Sequence, residues 1–108
     1  MTFKILIAED EEITLKQLLS ILQKEGCEVT GVKDGNHAFQ EIESGHFDLL
    51  IADIKMPGLS GIEILERMKG KYPATEVIII TGFGSIGSAV EAMRKGACDY
   101  ITKPFDLD

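Results

Sequence analysis

No stretch of this sequence is apolar for long enough to cross a bilayer. Its longest strongly apolar run, Val77-Ile78-Ile79-Ile80, falls far short of the ~20 residues that a membrane-spanning helix requires. The N-terminal stretch does not read as a secretory leader, because Ile5-Leu6-Ile7-Ala8 is brief and runs straight into Glu9-Asp10-Glu11-Glu12. Basic charge is in short supply: 11 Lys and Arg face 18 Asp and Glu, for a formal net charge of −7. Nucleic acid and anionic membrane surfaces both demand clustered cations, so this segment is expected to bind neither. Cysteine is equally scarce. Cys27 and Cys98 stand alone, without a Cys-x-x-Cys pair or a nearby His, which argues against zinc and for two small half-apolar side chains in a reducing cytoplasm. His37 and His46 lie on different elements and read as solvated. There is no internal repeat, linker or low-complexity tract.

What is present is an alternation of short apolar strands and amphipathic helices in 108 residues, a length that suits one domain. Phe3 to Ala8 reads as a strand. A helix follows from about Glu12 to Glu25, with Leu15, Leu18, Leu19 and Leu22 forming one stripe and Gly26 as a left-handed stop. Cys27 to Val32 is a second strand, and Asp34-Gly35-Asn36 a turn that places Asn36 as the cap of a helix reaching about Ser44. Ala38, Phe39 and Ile42 face inward on that helix, and Gly45 ends it. Leu49 to Ala52 is apolar without alternation, as in a strand covered on both faces, and it closes at Asp53. A loop from Ile54 to Ser60 leads to a helix from about Gly61 to Lys69. Glu76 to Thr81 is a fourth strand. A helix ending near Lys95 and a fifth strand, Asp99 to Thr102, complete the series. Strands separated by helices of this length imply βαβ units, hence an α/β doubly wound five-stranded parallel sheet with helices on both faces.

In such a sheet, ligands bind beyond the carboxyl ends of the strands, where strand order reverses. Those ends carry Glu9 and Asp10, Asp53, Thr81 and Lys103. Three adjacent carboxylates repel one another unless a cation compensates, and hard oxygen ligands with open positions suit Mg²⁺. With Mg²⁺ and Lys103 neutralising the pocket, Asp53 becomes an oxygen nucleophile toward phosphorus, a step carboxylates perform through an acyl phosphate. Glu11 and Glu12 read as acids favoured at a helix start.

Three separated segments carry a resemblance at this point: Ile5-Leu6-Ile7-Ala8-Glu9-Asp10-Glu11-Glu12, Asp53-Ile54-Lys55-Met56-Pro57-Gly58 and Tyr100-Ile101-Thr102-Lys103-Pro104-Phe105. Together they resemble the receiver domain of two-component response regulators, over essentially the whole chain. The stretch Thr81-Gly82-Phe83-Gly84-Ser85 through Ala89-Val90 is most similar to receivers of the nitrogen-regulator kind, which precede ATPase and DNA-binding output domains. The resemblance implies a flavodoxin-like strand order 2-1-3-4-5. It further implies that Asp53 is the phosphoacceptor. Asp10, Asp53 and the main-chain carbonyl of Lys55 would hold Mg²⁺ directly, and Glu9 through a water. Lys103 and Thr81 would contact phosphoryl oxygens, Tyr100 would swing inward as Thr81 moves, and Pro104 would be a cis proline. Glu9 departs from the commoner Asp by a methylene, about 1.5 Å of extra reach, which predicts altered Mg²⁺ affinity without loss of function. Lys55 and Phe83 are expected to tune the lifetime of the acyl phosphate.

The implied partners are a sensor histidine kinase, an output domain outside this chain and a second copy meeting it through the face of the fourth helix and fifth strand. Because the chain stops at Asp108, the expectation is a receiver over residues 1–108 that ends before or within its usual last helix, with one face of the fifth strand bare and dimerisation impaired or rearranged. Two other patterns compete. Gly82-Phe83-Gly84-Ser85-Ile86-Gly87 spells the dinucleotide-binding fingerprint, but the next strand closes with Thr102-Lys103-Pro104 where that fold needs an acid for the ribose. An aspartate-based phosphohydrolase would place a second Asp two residues after the first, and position 55 is Lys. A receiver-like module that is never phosphorylated is the third alternative.

Overall fold

The computed structural model describes residues 2–82 and 86–103. Phe83, Gly84, Ser85 and Pro104 to Asp108 lie outside the described residues, and with them the expected lifetime-tuning ring at Phe83 and the cis proline at Pro104.

The chain runs β1 (Lys4–Ala8), α1 (Glu12–Lys24), β2 (Glu28–Val32), α2 (Gly35–Ser44), β3 (Leu49–Asp53), α3 (Gly61–Lys71), β4 (Glu76–Thr81), α4 (Ile86–Arg94) and β5 (Asp99–Thr102). The strands form one sheet in the order β2-β1-β3-β4-β5, every pair parallel. Period-two alternation divides the strand side chains between two cores. Ile5, Ile7, Ile51 and Ile80 meet the Leu15, Leu18, Leu19 and Leu22 stripe of α1 on one face. Leu6, Ala8, Leu50, Ala52, Val77 and Ile79 meet Ala38, Ile42, Ile62, Leu65, Met68 and Ala92 from α2, α3 and α4 on the other. The central strands are covered twice, which is why they read as unbroken apolar runs. On β5 all but Tyr100 are exposed, and Ile101 keeps 38% of its surface in solvent.

Local chemistry sets the helix ends. Gly26 follows α1 with φ +88, a left-handed conformation that glycine adopts without steric cost. The cap of α2 differs from expectation: it is Asp34, whose Oδ1 accepts from the His37 amide at 2.7 Å, and Asn36 already lies inside the helix. The helix starts early because Gly35 sits against the β3–α3 loop. Its amide donates to the Pro57 carbonyl at 2.9 Å, and a Cβ at position 35 would fall 1.8 Å from the Leu59 carbonyl oxygen. Ser60 and Glu63 form a reciprocal capping box at the start of α3.

Candidate functional site

The chain leaves β1 toward β2 on one side and returns to β3 on the other, so a crevice opens beyond the carboxyl ends of β1 and β3. Ala8 pairs with Ala52 in register. The next residues, Glu9 and Asp53, therefore emerge level with each other at its floor. Both are buried, at 0% and 4% exposure, while Asp10 stays exposed at the rim. One carboxylate oxygen from each of Glu9, Asp10 and Asp53 lies within 4.8 Å of the others. Thr81 is fully buried at the end of β4, one residue beyond Ile80, the register partner of Asp53.

Lys103 enters from the far end of the sheet. Its amide donates to the Thr81 carbonyl at 2.9 Å, which continues the β4–β5 ladder and aims the side chain at the crevice. The Lys103 ammonium donates to Asp53 Oδ2 at 2.8 Å and also pairs with Glu9 Oε1 and Glu11 Oε1. Asp53 Oδ1 accepts from the Lys55 amide at 3.1 Å, and Glu9 Oε2 from the Glu11 amide at 3.1 Å. Backbone donors thus orient both buried carboxylates. Burial pushes the Glu9 carboxyl up to about 7, against the opposing pull of Lys103 and the Glu11 amide, with the Asp53 charge adding to the rise. Burial works the other way on Lys103, but its contacts with the Asp53, Glu11 and Glu9 carboxylates outweigh it and hold the ammonium charged well above the usual lysine range. Beside Asp10, a cleft of about 510 Å³ opens between Ile54, Lys55, Met56, Pro57 and Ser60.

Glu9, Asp10, Asp53, Thr81 and Lys103 thus gather at the carboxyl ends of the strands, with the Lys55 backbone beside them. Tyr100 does not reach the crevice. Its ring is half-buried against the three-helix core and its hydroxyl lies 2.8 Å from Ser88 Oγ on α4. Two partners were not legible in the sequence. Glu11, expected to serve only the helix start, turns its carboxylate to Lys103, 92 positions away. Ser88 holds the Tyr100 hydroxyl. Neither pairing follows a local periodicity that could have announced it. Glu12 keeps to its expected place in the first turn of α1 and pairs with Lys33 at 3.0 Å.

The donor set fits a small hard cation: all three side chains offer carboxylate oxygen, and Glu9 Oε1 is enclosed without an aligned hydrogen-bond donor, Lys103 meeting it through charge alone. Comparison with known proteins points to one family. The family model described as response regulator receiver domain matches residues 5–108. The transcriptional regulatory protein TcrA of Mycobacterium tuberculosis is 35% identical over 105 residues, 97% of this chain and 42% of that protein. The chain therefore spans less than half of that curated relative. A CheY-like receiver from Methanospirillum hungatei superposes with a TM-score of 0.93 at 33% identity, covering 98% of this chain and 85% of that one. The beryllofluoride-activated NtrC4 receiver domain dimer gives 0.91 at 34% identity, covering 96% and 86%. With the family match running through both acidic strand ends and Lys103, the chain belongs to the response regulator receiver domains.

Proposed function

We propose that Asp53 is the phosphoacceptor of a signalling switch driven by a sensor histidine kinase. The observation that carries this reading is the convergence of one carboxylate oxygen each from Glu9, Asp10 and Asp53 within 4.8 Å, with the Lys103 ammonium on Asp53 Oδ2. In the transfer, a carboxylate oxygen of Asp53 attacks phosphorus. The bond from phosphorus to the kinase's phosphohistidine nitrogen breaks, and that nitrogen keeps the electron pair. Lys103 balances charge on a phosphoryl oxygen and the Thr81 hydroxyl donates to another. Glu9, Asp10, Asp53 and the Lys55 carbonyl would hold Mg²⁺, which supplies charge neutralisation for the incoming phosphoryl group. The Lys55 amide keeps Asp53 oriented throughout.

Esterified Asp53 carries about −2 charge and three acceptor oxygens where one carboxylate stood. Thr81 is drawn toward them, and the space it leaves admits the Tyr100 ring, which gives up Ser88. The α4–β5 face changes shape as a result, and this change is what an output domain outside this chain or a second copy reads. Exposed Val90, Met93 and Ile101 on that face support its role as a contact surface. Among the described residues no helix is long and apolar enough to cross a membrane, and we place the domain in the cytoplasm with its kinase's catalytic portion.

Incubation with acetyl phosphate and Mg²⁺, followed by intact-mass spectrometry, tests the assignment. One phosphoryl adduct is expected, lost in Asp53→Asn and without Mg²⁺. Sustained turnover of phosphomonoesters would point to a hydrolase instead, and an unmodified chain to a module that is never phosphorylated.

A further inference from the structure

A lysine ammonium has three N–H donors and no more. Three carboxylates surround Lys103: two of its N–H groups donate to Glu11 and Asp53, Glu9 presses on the ammonium as a third ion pair, and the side chain is only 12% exposed. A further oxygen brought to Asp53 can be met by this ammonium only if one carboxylate gives way. The three differ in how easily they do so. Glu9 and Asp53 are buried, and leaving either with an unpaired charge is costly. Glu11 keeps 61% of its side chain in water, which can solvate it once released. Its backbone amide is bonded to Glu9, so the carboxylate can leave while the residue stays in place. Glu11 also contributes no side-chain cap to α1, and its carboxylate is held by Lys103.

We infer that Glu11 is a displaceable stand-in for the phosphoryl oxygen: it holds Lys103 in position while Asp53 is unmodified, and it competes with the phosphoryl group for that ammonium. Glu11 is a positioning residue acting through Lys103, and the inference rests on the phosphoacceptor reading above. Removing the competitor leaves Lys103 with a donor in hand, so a phosphoryl mimic binds more tightly.

Beryllofluoride, titrated calorimetrically into the chain at saturating Mg²⁺, is the probe. Glu11→Gln is expected to tighten binding about two- to fivefold, the range set by losing one exposed ion pair. Glu12→Gln removes an equal charge one residue away from a side chain that pairs with Lys33, and is expected to leave binding unchanged. In a Lys103→Arg background the guanidinium has five donors, so Glu11→Gln is expected to gain nothing there. Equal or weaker binding in Glu11→Gln overturns the inference, as does equal tightening in Glu12→Gln, which would mark a general charge effect. Failure of the unsubstituted chain to bind beryllofluoride would instead bring down the phosphoacceptor reading, and this inference with it.

Discussion

Replacing Glu9 with glutamine in metal-free buffer should change how stability depends on pH. Burial holds the Glu9 carboxyl at about 7 in the folded chain, against 4.5 for an ordinary glutamate. Between those values the native state binds one proton more than the unfolded state, so stability falls as pH rises. The penalty is absent below about pH 4.5 and complete above about pH 7, with a slope of at most about 1.4 kcal/mol per pH unit. Over that window the cost sums to about 3 kcal/mol, a sizeable share of the 5–15 kcal/mol that typically holds a domain together. Glutamine has no charge to lose. Urea denaturation in EDTA at pH 5 and pH 8 reads the difference between Glu9→Gln and the unsubstituted chain. Any constant offset from the altered contact with Lys103 cancels between the two pH values. The variant should gain on the unsubstituted chain by up to about 3 kcal/mol on going from pH 5 to pH 8. Saturating Mg²⁺ should shrink that gain, because a cation among Glu9, Asp10 and Asp53 favours the ionised carboxylate. A pH-independent difference would refute the reasoning, for it would mean that Glu9 ionises as freely in the fold as outside it.

Three further outcomes can be measured. Gly61→Ala would place a Cβ 2.5 Å from the Asp53 carbonyl oxygen, so the β3 end or the α3 start must move. Denaturation should show a loss of about 1–3 kcal/mol, and phosphorylation by acetyl phosphate should slow. Leu65→Ala empties a fully buried site between α3 and the sheet and should cost about 2–5 kcal/mol in urea denaturation without altering the Mg²⁺ dependence of phosphorylation. Glu9→Asp should change Mg²⁺ affinity in a direct titration while Asp53 remains phosphorylatable, and indistinguishable affinities would discard any part for the extra methylene.

The doubly wound sheet was readable because each apolar run is as long as a strand and each stripe as long as a short helix, and such patterns are local. The strand ends at Asp53 and Thr81 were equally plain: an acid or hydroxyl closing a buried run marks where the sheet opens to water. The α2 cap was misplaced for the opposite reason. Asp34 and Asn36 are both good caps, and the choice between them depends on Pro57 and Leu59, some twenty residues on.

Composition and periodicity by themselves determined the fold class, the sheet's two-sided burial and the edge where carboxylates and Lys103 collect. Tertiary structure alone decided how those charges share one another. That Lys103 bridges Glu9, Glu11 and Asp53, that Glu9 is enclosed while Asp10 stays wet, and that Tyr100 rests on Ser88 are consequences of strands arriving at one rim from distant parts of the chain. Hydrophobic pattern is carried by neighbours along the sequence, whereas the energy of a charge depends on solvent exclusion and on partners brought close in space.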